Sequence, residues 1–358
     1  MHLWIGVILH GLVVEAISYN LPDIDNFWHS QTPIILLGRR LPLHIIFLYS
    51  VFLYTASNTA KRFKLPLWSE PFAVGLIVVL IDIPYDVTSV RFLHWSWHDT
   101  DPSIRDRHYH VPWNSYYFHA TFAASFTFWF HGTRKLFTKS SNKWTSDKSF
   151  LKETLCTVLS SLLGMPGGVL LFLPIYHPLH DNFNVHTEVC FFLLFAVFLV
   201  LAWSGERASR PTITFKSKAD CLFLPYLMVY YSVFLAMALI GDPSKEVSIG
   251  LHEQIGPCDE MVPITSALGQ TLYKRRYLCL EDNDETYFGW DCLPGGKAPK
   301  PFSHWYTACG TELKNRVEYI VVNLTICIVA FGVFVNAFLL SNGKSDQESI
   351  TTKKVKKN

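Results

Sequence analysis

The chain is poor in charged residues. Asp, Glu, Lys and Arg make up 17% of its 358 residues, whereas a soluble domain carries about a quarter. The sequence also lacks an internal repeat, a glycine-rich phosphate loop, a CxxC pair and any nucleic-acid-binding motif. It therefore gives no support to a nucleotide-dependent enzyme, a zinc ribbon or a DNA- or RNA-binding module, and we expect no nucleic-acid partner.

Long apolar stretches are present instead, and 50% of all residues are hydrophobic. About 20 apolar residues are enough to cross a hydrocarbon core about 30 Å thick. The predicted fold class is therefore an all-α, polytopic helical membrane protein with about eight transmembrane helices. We expect these spans at residues 2–19, 42–60, 66–88, 114–131, 153–175, 187–204, 220–240 and 318–340.

The first apolar stretch also fits a cleaved secretory signal by its length and position. It lacks a basic segment before the apolar run and a clear cleavage site of small residues. His10 and Glu15 lie inside the run. We therefore interpret residues 2–19 as a transmembrane helix.

Basic residues predict the orientation in the membrane. Lysines and arginines gather in the connections after the second, fourth and sixth spans, as is typical of cytosolic loops. Eight spans then place both termini in the cytosol. The tail ends in "KVKKN", which resembles a dilysine signal for retrieval to the endoplasmic reticulum and equally fits a basic segment attracted to anionic lipid. We predict a membrane of the endoplasmic reticulum or secretory pathway.

Four of the eight cysteines lie in one long loop that this topology places outside the cytosol, where disulfides persist. We predict that they form two disulfide bonds, with three pairings open. The cysteines concerned are Cys258, Cys279, Cys292 and Cys309. The predicted domains are a seven-helix core (1–240), the cysteine loop (241–317), the last helix (318–340) and a basic tail (341–358).

Acidic residues close the third span. Asp82 and Asp86 lie on one face of a helix and can share a proton, as carboxyl groups in acid catalysis do. Ionisable groups inside spans usually face a wet cavity and mark function. We therefore predict an Asp/His cavity on the non-cytosolic side. The catalytic candidates are Glu15, Asp82, Asp86, His94, His98 and Asp99, and the substrate-binding candidates are Trp95, Trp97, Trp113 and Tyr116.

Two histidine pairs have spacings that suit a metal ion if their segments are helical. These pairs are His94 with His98 and His177 with His180. A divalent metal bound by these four side chains is one hypothesis, and a proton-relay or hydrogen-bonding role for the same histidines is another. The neighbouring tryptophans also fit an aromatic belt at the membrane interface, so the alternatives stay open.

The order of several motifs resembles the carotenoid hydratase family of prokaryotic membrane enzymes. The motifs are Glu15 in the first span, Asp82-x-x-x-Asp86, Trp95-x-Trp97 and Tyr-x-Val-Pro-x-Asn at 109–114. This resemblance implies addition of water across a terminal isoprenoid double bond. The chain departs from the family at Val87, where the family has proline. It also resembles uncharacterised multi-pass proteins of invertebrate animals, through "FWHSQ" and "GRRLPLHI".

These observations favour an enzyme that acts on an isoprenoid or other membrane lipid by hydratase- or cyclase-like acid-base chemistry. Asp82 or Asp86 would protonate a double bond, tryptophan faces would stabilise the cation, and another acid or a histidine would direct water. The alternatives are a metal-dependent membrane hydrolase or oxidase, and a non-enzymatic transporter or receptor-like protein. Polar residues concentrate on one face, which favours a pocket over a conduit.

Overall fold

The computed structural model describes residues 1–97, 101–139, 143–208, 218–265, 269–281 and 287–340. His98 and Asp99, two of the predicted catalytic residues, lie outside the described residues. Most of the chain is helical. The helices are α1 (His2–Asn20), α2 (Leu43–Tyr49), α3 (Thr55–Ala60), α4 (Glu70–Arg91), α5 (Trp113–Phe137), α6 (Phe150–Tyr176), α7 (Thr187–Ala208), α8 (Lys218–Ile240) and α9 (Arg316–Val335).

Six helices among the described residues are long and apolar enough to cross a membrane. They are His2–Asn20, Glu70–Arg91, Phe150–Asn182, Thr187–Gly205, Leu222–Ile240 and Arg316–Phe338. This result supports the prediction of a membrane protein, but the count of eight spans is not confirmed. The predicted span at 42–60 consists of α2 and α3 joined by a π-helical turn, Ser50–Tyr54. The predicted span at 114–131 lies in α5, whose sequence is richer in polar and aromatic residues than those six helices.

Close helix packing in the bundle depends on two glycines of α6. α5 packs against both α4 and α6, and α1 packs against α6. A Cβ atom on Gly168 would lie 2.9 Å from the Cα atom of Phe122 on α5. A Cβ atom on Gly164 would lie 2.7 Å from the ring of His10 on α1. Small residues at these positions let the helix backbones approach closely, as is common in membrane bundles.

Short strands occur between the helices, so the prediction of an all-α fold is wrong in this respect. All strand pairs are antiparallel: β1 with β4, β2 with β3, β5 with β6, β8 with β9, and β11 with both β7 and β10. Most of the strands are too short to show a periodic pattern in the sequence. Their bounds are β1 Trp28–His29, β2 Ile35–Leu36, β3 Leu41–Pro42, β4 Trp95–Ser96, β5 Arg107–His108, β6 Val111–Pro112, β7 Val247–Leu251, β8 Met261–Thr265, β9 Thr271–Arg275, β10 Phe288–Gly289 and β11 Trp305–Gly310.

Residues 241–315, which we call the cap, connect α8 to α9 and contain the last five strands. The two predicted disulfides are present there, and the pairing is Cys258 with Cys279 and Cys292 with Cys309. The guanidinium of Arg91, at the end of α4, donates hydrogen bonds to cap carbonyls of Thr311 (2.8 Å) and Glu312 (3.0 Å). The cap therefore rests on the end of the bundle where α4 ends and α5 begins.

We predict that Gly168→Val lowers the thermal unfolding midpoint of the purified protein. The added side chain meets backbone atoms of Phe122, and overpacking of this kind costs about 1–3 kcal/mol. Gly132→Ala on α5 is the matched control, because a Cβ atom there meets nothing within 4 Å. That change should leave the midpoint unchanged or raise it. Equal midpoints for Gly168→Val and the wild type would contradict the packing described above.

Candidate functional site

A cavity of about 170 Å³ lies inside the helix bundle, and we call it the inner chamber. Helices α1, α4 and α5, the π-helical turn and strands β1 and β4 all contribute to its wall. Most of the wall is aromatic or aliphatic, as in most ligand pockets. Its aromatic residues are Phe27, Tyr49, Phe52, Tyr85, Trp95, Trp97, Phe118 and Phe122, and its polar residues include His10, Glu15, His29, Asp86, Ser115 and His119.

Two carboxyl groups and one imidazole meet at this wall. Asp82, Asp86 and His119, which we call the carboxyl-imidazole cluster, each offer an atom within 4.8 Å of the others. His119 Nε2 lies 3.5 Å from Asp82 Oδ1, and the hydroxyl of Ser115 donates a 2.9 Å hydrogen bond to Asp86 Oδ2. Asp86 and His119 line the chamber, while Asp82 is fully buried behind them.

The positions of these side chains follow from helix periodicity. Asp82 and Asp86 are four residues apart on α4, and Ser115 and His119 are four apart on α5. Residues with this spacing lie on one face of a helix. α4 and α5 pack against each other, so each contributes one such pair to the cluster.

Pro84 lies between the two aspartates and has no backbone N–H, so the carbonyl of Leu80 loses its usual partner within the helix. The hydroxyl of Tyr231 on α8 donates a 3.0 Å hydrogen bond to that carbonyl. The neighbouring carbonyl of Ile81 accepts a 2.9 Å hydrogen bond from the hydroxyl of Tyr230. α8 thus supports the segment of α4 that carries the cluster.

No lysine or arginine of the described residues neutralises the two aspartates, and His119 is the basic side chain beside them. Within the described residues, neither carboxyl group pairs with a lysine or arginine, and neither oxygen of Asp82 has a hydrogen bond. Two like charges this close in an apolar interior are strongly unfavourable. The carboxyl-imidazole cluster therefore needs a bound proton or a bound cation.

Glu15 is held differently from the aspartates. Its two carboxyl oxygens accept hydrogen bonds from the hydroxyls of Tyr19 (2.5 Å) and Tyr49 (2.8 Å). Tyr19 in turn lies under the guanidinium of Arg40, 4.6 Å from the ring centre. The predicted catalytic residue Glu15 thus lines the chamber with both oxygens already occupied.

His29 of β1 presents an uncharged imidazole at another part of the inner-chamber wall, where it can accept or donate a hydrogen bond. Its imidazole is buried between Phe27 and Trp95, with ring centres 5.6 and 5.9 Å away. Burial, followed by the charges of His44 and Arg40, lowers the pKa of His29 to about 3. Neither ring nitrogen has a hydrogen-bond partner among the described residues. An uncharged polar group therefore faces the chamber near neutral pH.

A second cavity, of about 380 Å³, adjoins the inner chamber, and we call it the outer cavity. Helices α1, α5 and α6 and the hairpin β8–β9 of the cap contribute to its wall. The two cavities share six lining residues, so they are direct neighbours. The shared residues are Ser18, Phe27, Trp97, Ser115, Phe118 and Phe122.

The predicted substrate-binding residues separate into two groups. Trp95 and Trp97 line the inner chamber. Trp113 and Tyr116 are buried in the core and line neither cavity. Trp113 packs on Tyr116 and on Phe191 of α7, with ring centres 5.7 and 5.4 Å away. These two aromatic residues stabilise the bundle instead of facing a ligand.

Of the four predicted metal ligands, His98 lies outside the described residues, and the other three form no metal-binding group. His94 is exposed and lines neither cavity. His177 and His180 both contact the carboxylate of Asp181, with His180 Nδ1 at 2.8 Å. Within the described residues, the one group able to offer three metal ligands is the carboxyl-imidazole cluster, which contains none of these histidines.

Three chamber residues, Ser115, Tyr49 and His119, are not among those that the sequence patterns predict for the site. The i, i+4 spacing of Ser115 and His119 repeats that of Asp82 and Asp86 and could have drawn attention to α5. Nothing in the sequence indicates that Tyr49 reaches Glu15, because the contact joins residues 34 positions apart.

Comparison with known proteins gives one family. The family model described as "Domain of unknown function (DUF7802)" matches residues 1–339. No curated protein and no solved structure matches the chain.

We predict that Tyr231→Phe costs about 1–3 kcal/mol of stability, because it leaves the buried carbonyl of Leu80 without a donor. In a Pro84→Ala background the backbone N–H at position 84 can donate to Leu80, so the same change should cost much less. A double-mutant cycle measured by thermal unfolding gives the coupling. Additive effects of the two changes would show that Tyr231 does not compensate for Pro84.

Proposed function

Since the chain belongs to the family described as a domain of unknown function (DUF7802), we propose its function from its own residues: it is an integral membrane enzyme that modifies an isoprenoid or other lipid by acid-base chemistry. The observation that carries the proposal is the carboxyl-imidazole cluster at the wall of an aromatic chamber inside an apolar bundle. An acid, a base and cation-stabilising rings are thereby available to one apolar substrate.

Asp86 is the proposed acid, because its carboxyl group lines the chamber. It donates its proton to one carbon of a carbon–carbon double bond, and the other carbon becomes a cation. The ring faces of Tyr85 and Trp95, whose centres lie 5.2 Å apart, stabilise that cation. Water adds to the cation, and its released proton passes to His119 and back to the aspartates. The net reaction is addition of one water molecule to the double bond.

Asp82 is a positioning residue in this scheme. It lies behind the chamber wall and next to His119 Nε2, so it orients the imidazole and shares the proton of the pair. The hydroxyl group of Ser115 holds Asp86 in place through a hydrogen bond. Glu15 forms part of the wall, fixed by two phenols.

The resemblance to carotenoid hydratases supports water addition as the reaction. Asp82, Asp86, Trp95 and Trp97 belong to the resembling motifs, and all four lie at or beside the inner chamber. Glu15 also lines it. The cap and the histidine-rich loops have no counterpart in that resemblance, so the lipid itself is proposed only as an isoprenoid or a similarly unsaturated lipid.

The proposed topology has eight spans, with α2–α3 and α5 counted, both termini in the cytosol and the cap outside it, in a membrane of the endoplasmic reticulum or secretory pathway. Two disulfides in the cap support a non-cytosolic position for it. Basic residues at the ends of α3 and α5 remote from the cap, Lys61, Arg62, Arg134 and Lys135, support a cytosolic position for that side.

A metal-dependent hydrolase or oxidase is the second candidate function. It is favoured by the same cluster, whose three side chains are close enough to hold one metal ion. Two carboxylates and one imidazole suit zinc, manganese or iron. Metal analysis of an active sample discriminates between the two functions. One metal ion per chain supports the metal-dependent hydrolase or oxidase, and activity without bound metal excludes that function.

We predict that the purified protein, incubated with a membrane lipid extract in water labelled with heavy oxygen, produces a lipid that has gained one labelled water molecule. Asp86→Asn should reduce this incorporation by about 10²-fold or more, because the proton donor is lost. Mass spectrometry of the extracted lipids measures both results.

Glu188→Gln is the control for this experiment. Glu188 is an acid with a half-exposed side chain at the start of α7 and lines neither cavity, so incorporation should be unchanged. Undiminished incorporation by a correctly folded Asp86→Asn protein would remove Asp86 from the mechanism.

A further inference from the structure

The outer cavity contains a second polar group that the proposed chemistry does not use. His177 lies where α6 continues into a π-helical turn, His177–Asn182, and its side chain is buried. It lines the outer cavity together with Asp181. The two side chains are four residues apart and in direct contact through His177 Nδ1 and Asp181 Oδ2.

The contact with Asp181 involves one ring nitrogen of His177 and leaves the other without a partner. In the tautomer whose Nδ1–H group donates to the carboxylate of Asp181, Nε2 is an acceptor. Nε2 is buried and has no hydrogen-bond partner among the described residues. A buried acceptor without a donor costs about 1–3 kcal/mol, and a ligand hydroxyl would remove that cost.

The charges around the outer cavity restrict the ligand further. Its described lining includes the acids Asp23 and Asp181 but no lysine or arginine. A phosphate or carboxylate headgroup would therefore meet like charge and no counter-charge. Both oxygens of Asp181 already contact imidazoles, one from His177 and one from His180. Four buried polar atoms of the described lining have no hydrogen-bond partner in the structure: His177 Nε2, Asn114 Oδ1, the hydroxyl of Tyr176 and Trp97 Nε1. All four suit an uncharged hydroxyl group, and His177 Nε2 is the one that adjoins the acid Asp181.

Most of the remaining outer-cavity wall is apolar. Met165, Val169 and Phe172 of α6 lie on one side, and Ile264 and Leu272 of the cap hairpin lie on another. Such a wall accommodates a hydrocarbon chain. The cavity also adjoins the inner chamber, with Phe118 and Phe122 in the wall of both, so a chain that passes between these rings would extend from His177 toward Asp86.

We infer that the outer cavity binds the hydroxyl end of an uncharged lipid alcohol, with the hydroxyl donating a hydrogen bond to His177 Nε2. The inference deepens the proposed function and rests on it for one point, the position of the reactive double bond beside Asp86. The substrate class is then an unsaturated long-chain or isoprenoid alcohol. Lipid phosphates and fatty acids are excluded by the charge of the cavity.

Equilibrium binding of radiolabelled farnesol to the full-length protein in lipid nanodiscs tests the inference, with empty nanodiscs as the background. Farnesyl methyl ether and farnesyl phosphate serve as competitors. Farnesol should compete about tenfold better than the ether, which has no hydroxyl proton for Nε2. The phosphate should compete more weakly than farnesol. An ether that competes as well as farnesol, or a phosphate that competes better, would overturn the inference.

Two variants locate the hydroxyl group. His177→Leu should abolish the preference for farnesol over the ether, while binding of the ether persists. His180→Leu is the matched control, because His180 contacts the same aspartate but does not line the cavity; it should keep the preference. A preference that survives His177→Leu would assign the hydroxyl to another residue and refute the inference.

The comparison of alcohol with ether is made on the wild-type protein, so it does not depend on a variant that folds poorly. Binding is also measured without turnover. A preference that depends on His177, found in a protein that adds no labelled water to any lipid, would support this inference and refute the proposed function. Addition of labelled water to a lipid without a hydroxyl group would support the proposed function and refute this inference.

Discussion

Two carboxyl groups buried together without a lysine or arginine partner among the described residues are the constraint on which the rest of the structure depends. Asp82 and Asp86 lie in an apolar helix, close to each other and to His119. Burial disfavours their charged forms, and no described lysine or arginine pairs with them. The cluster must hold a proton or a cation. In either case it keeps a reactive group inside a chamber whose walls suit a hydrocarbon.

The surrounding helices hold the two aspartates together, although burial of two neighbouring carboxyl groups is energetically unfavourable. α8 provides the hydroxyl that replaces the hydrogen bond lost at Pro84. Gly75 of α4 lets α5 approach closely, since a Cβ atom there would lie 2.5 Å from the carbonyl oxygen of Ala120, and Ser115 and His119 of α5 reach the aspartates. The cap covers the adjoining outer cavity with its hairpin. The bundle thus holds the polar groups in fixed positions, as a preorganised site requires.

The sequence predicted those parts of the fold and the site that depend on local patterns. Apolar runs predicted the membrane helices, and the spacing of Asp82 and Asp86 predicted a shared helix face. Long-range contacts could not be predicted in this way. The contact of Tyr49 with Glu15 and the burial of Trp113 in the core depend on how helices pack. His119 lies outside the histidine-rich segments and shares α5 with one other histidine, His131, so no cluster of histidines in the sequence marks it.

The central claim is that the aspartate pair holds a proton in a dry chamber. Infrared spectroscopy of the purified protein at neutral pH tests it most directly, since a protonated carboxyl group has a carbonyl band that shifts in heavy water. The account predicts such a band in the wild type and its loss in both Asp82→Asn and Asp86→Asn. A wild-type spectrum without a band that depends on these aspartates, in a protein free of bound metal, would contradict the account.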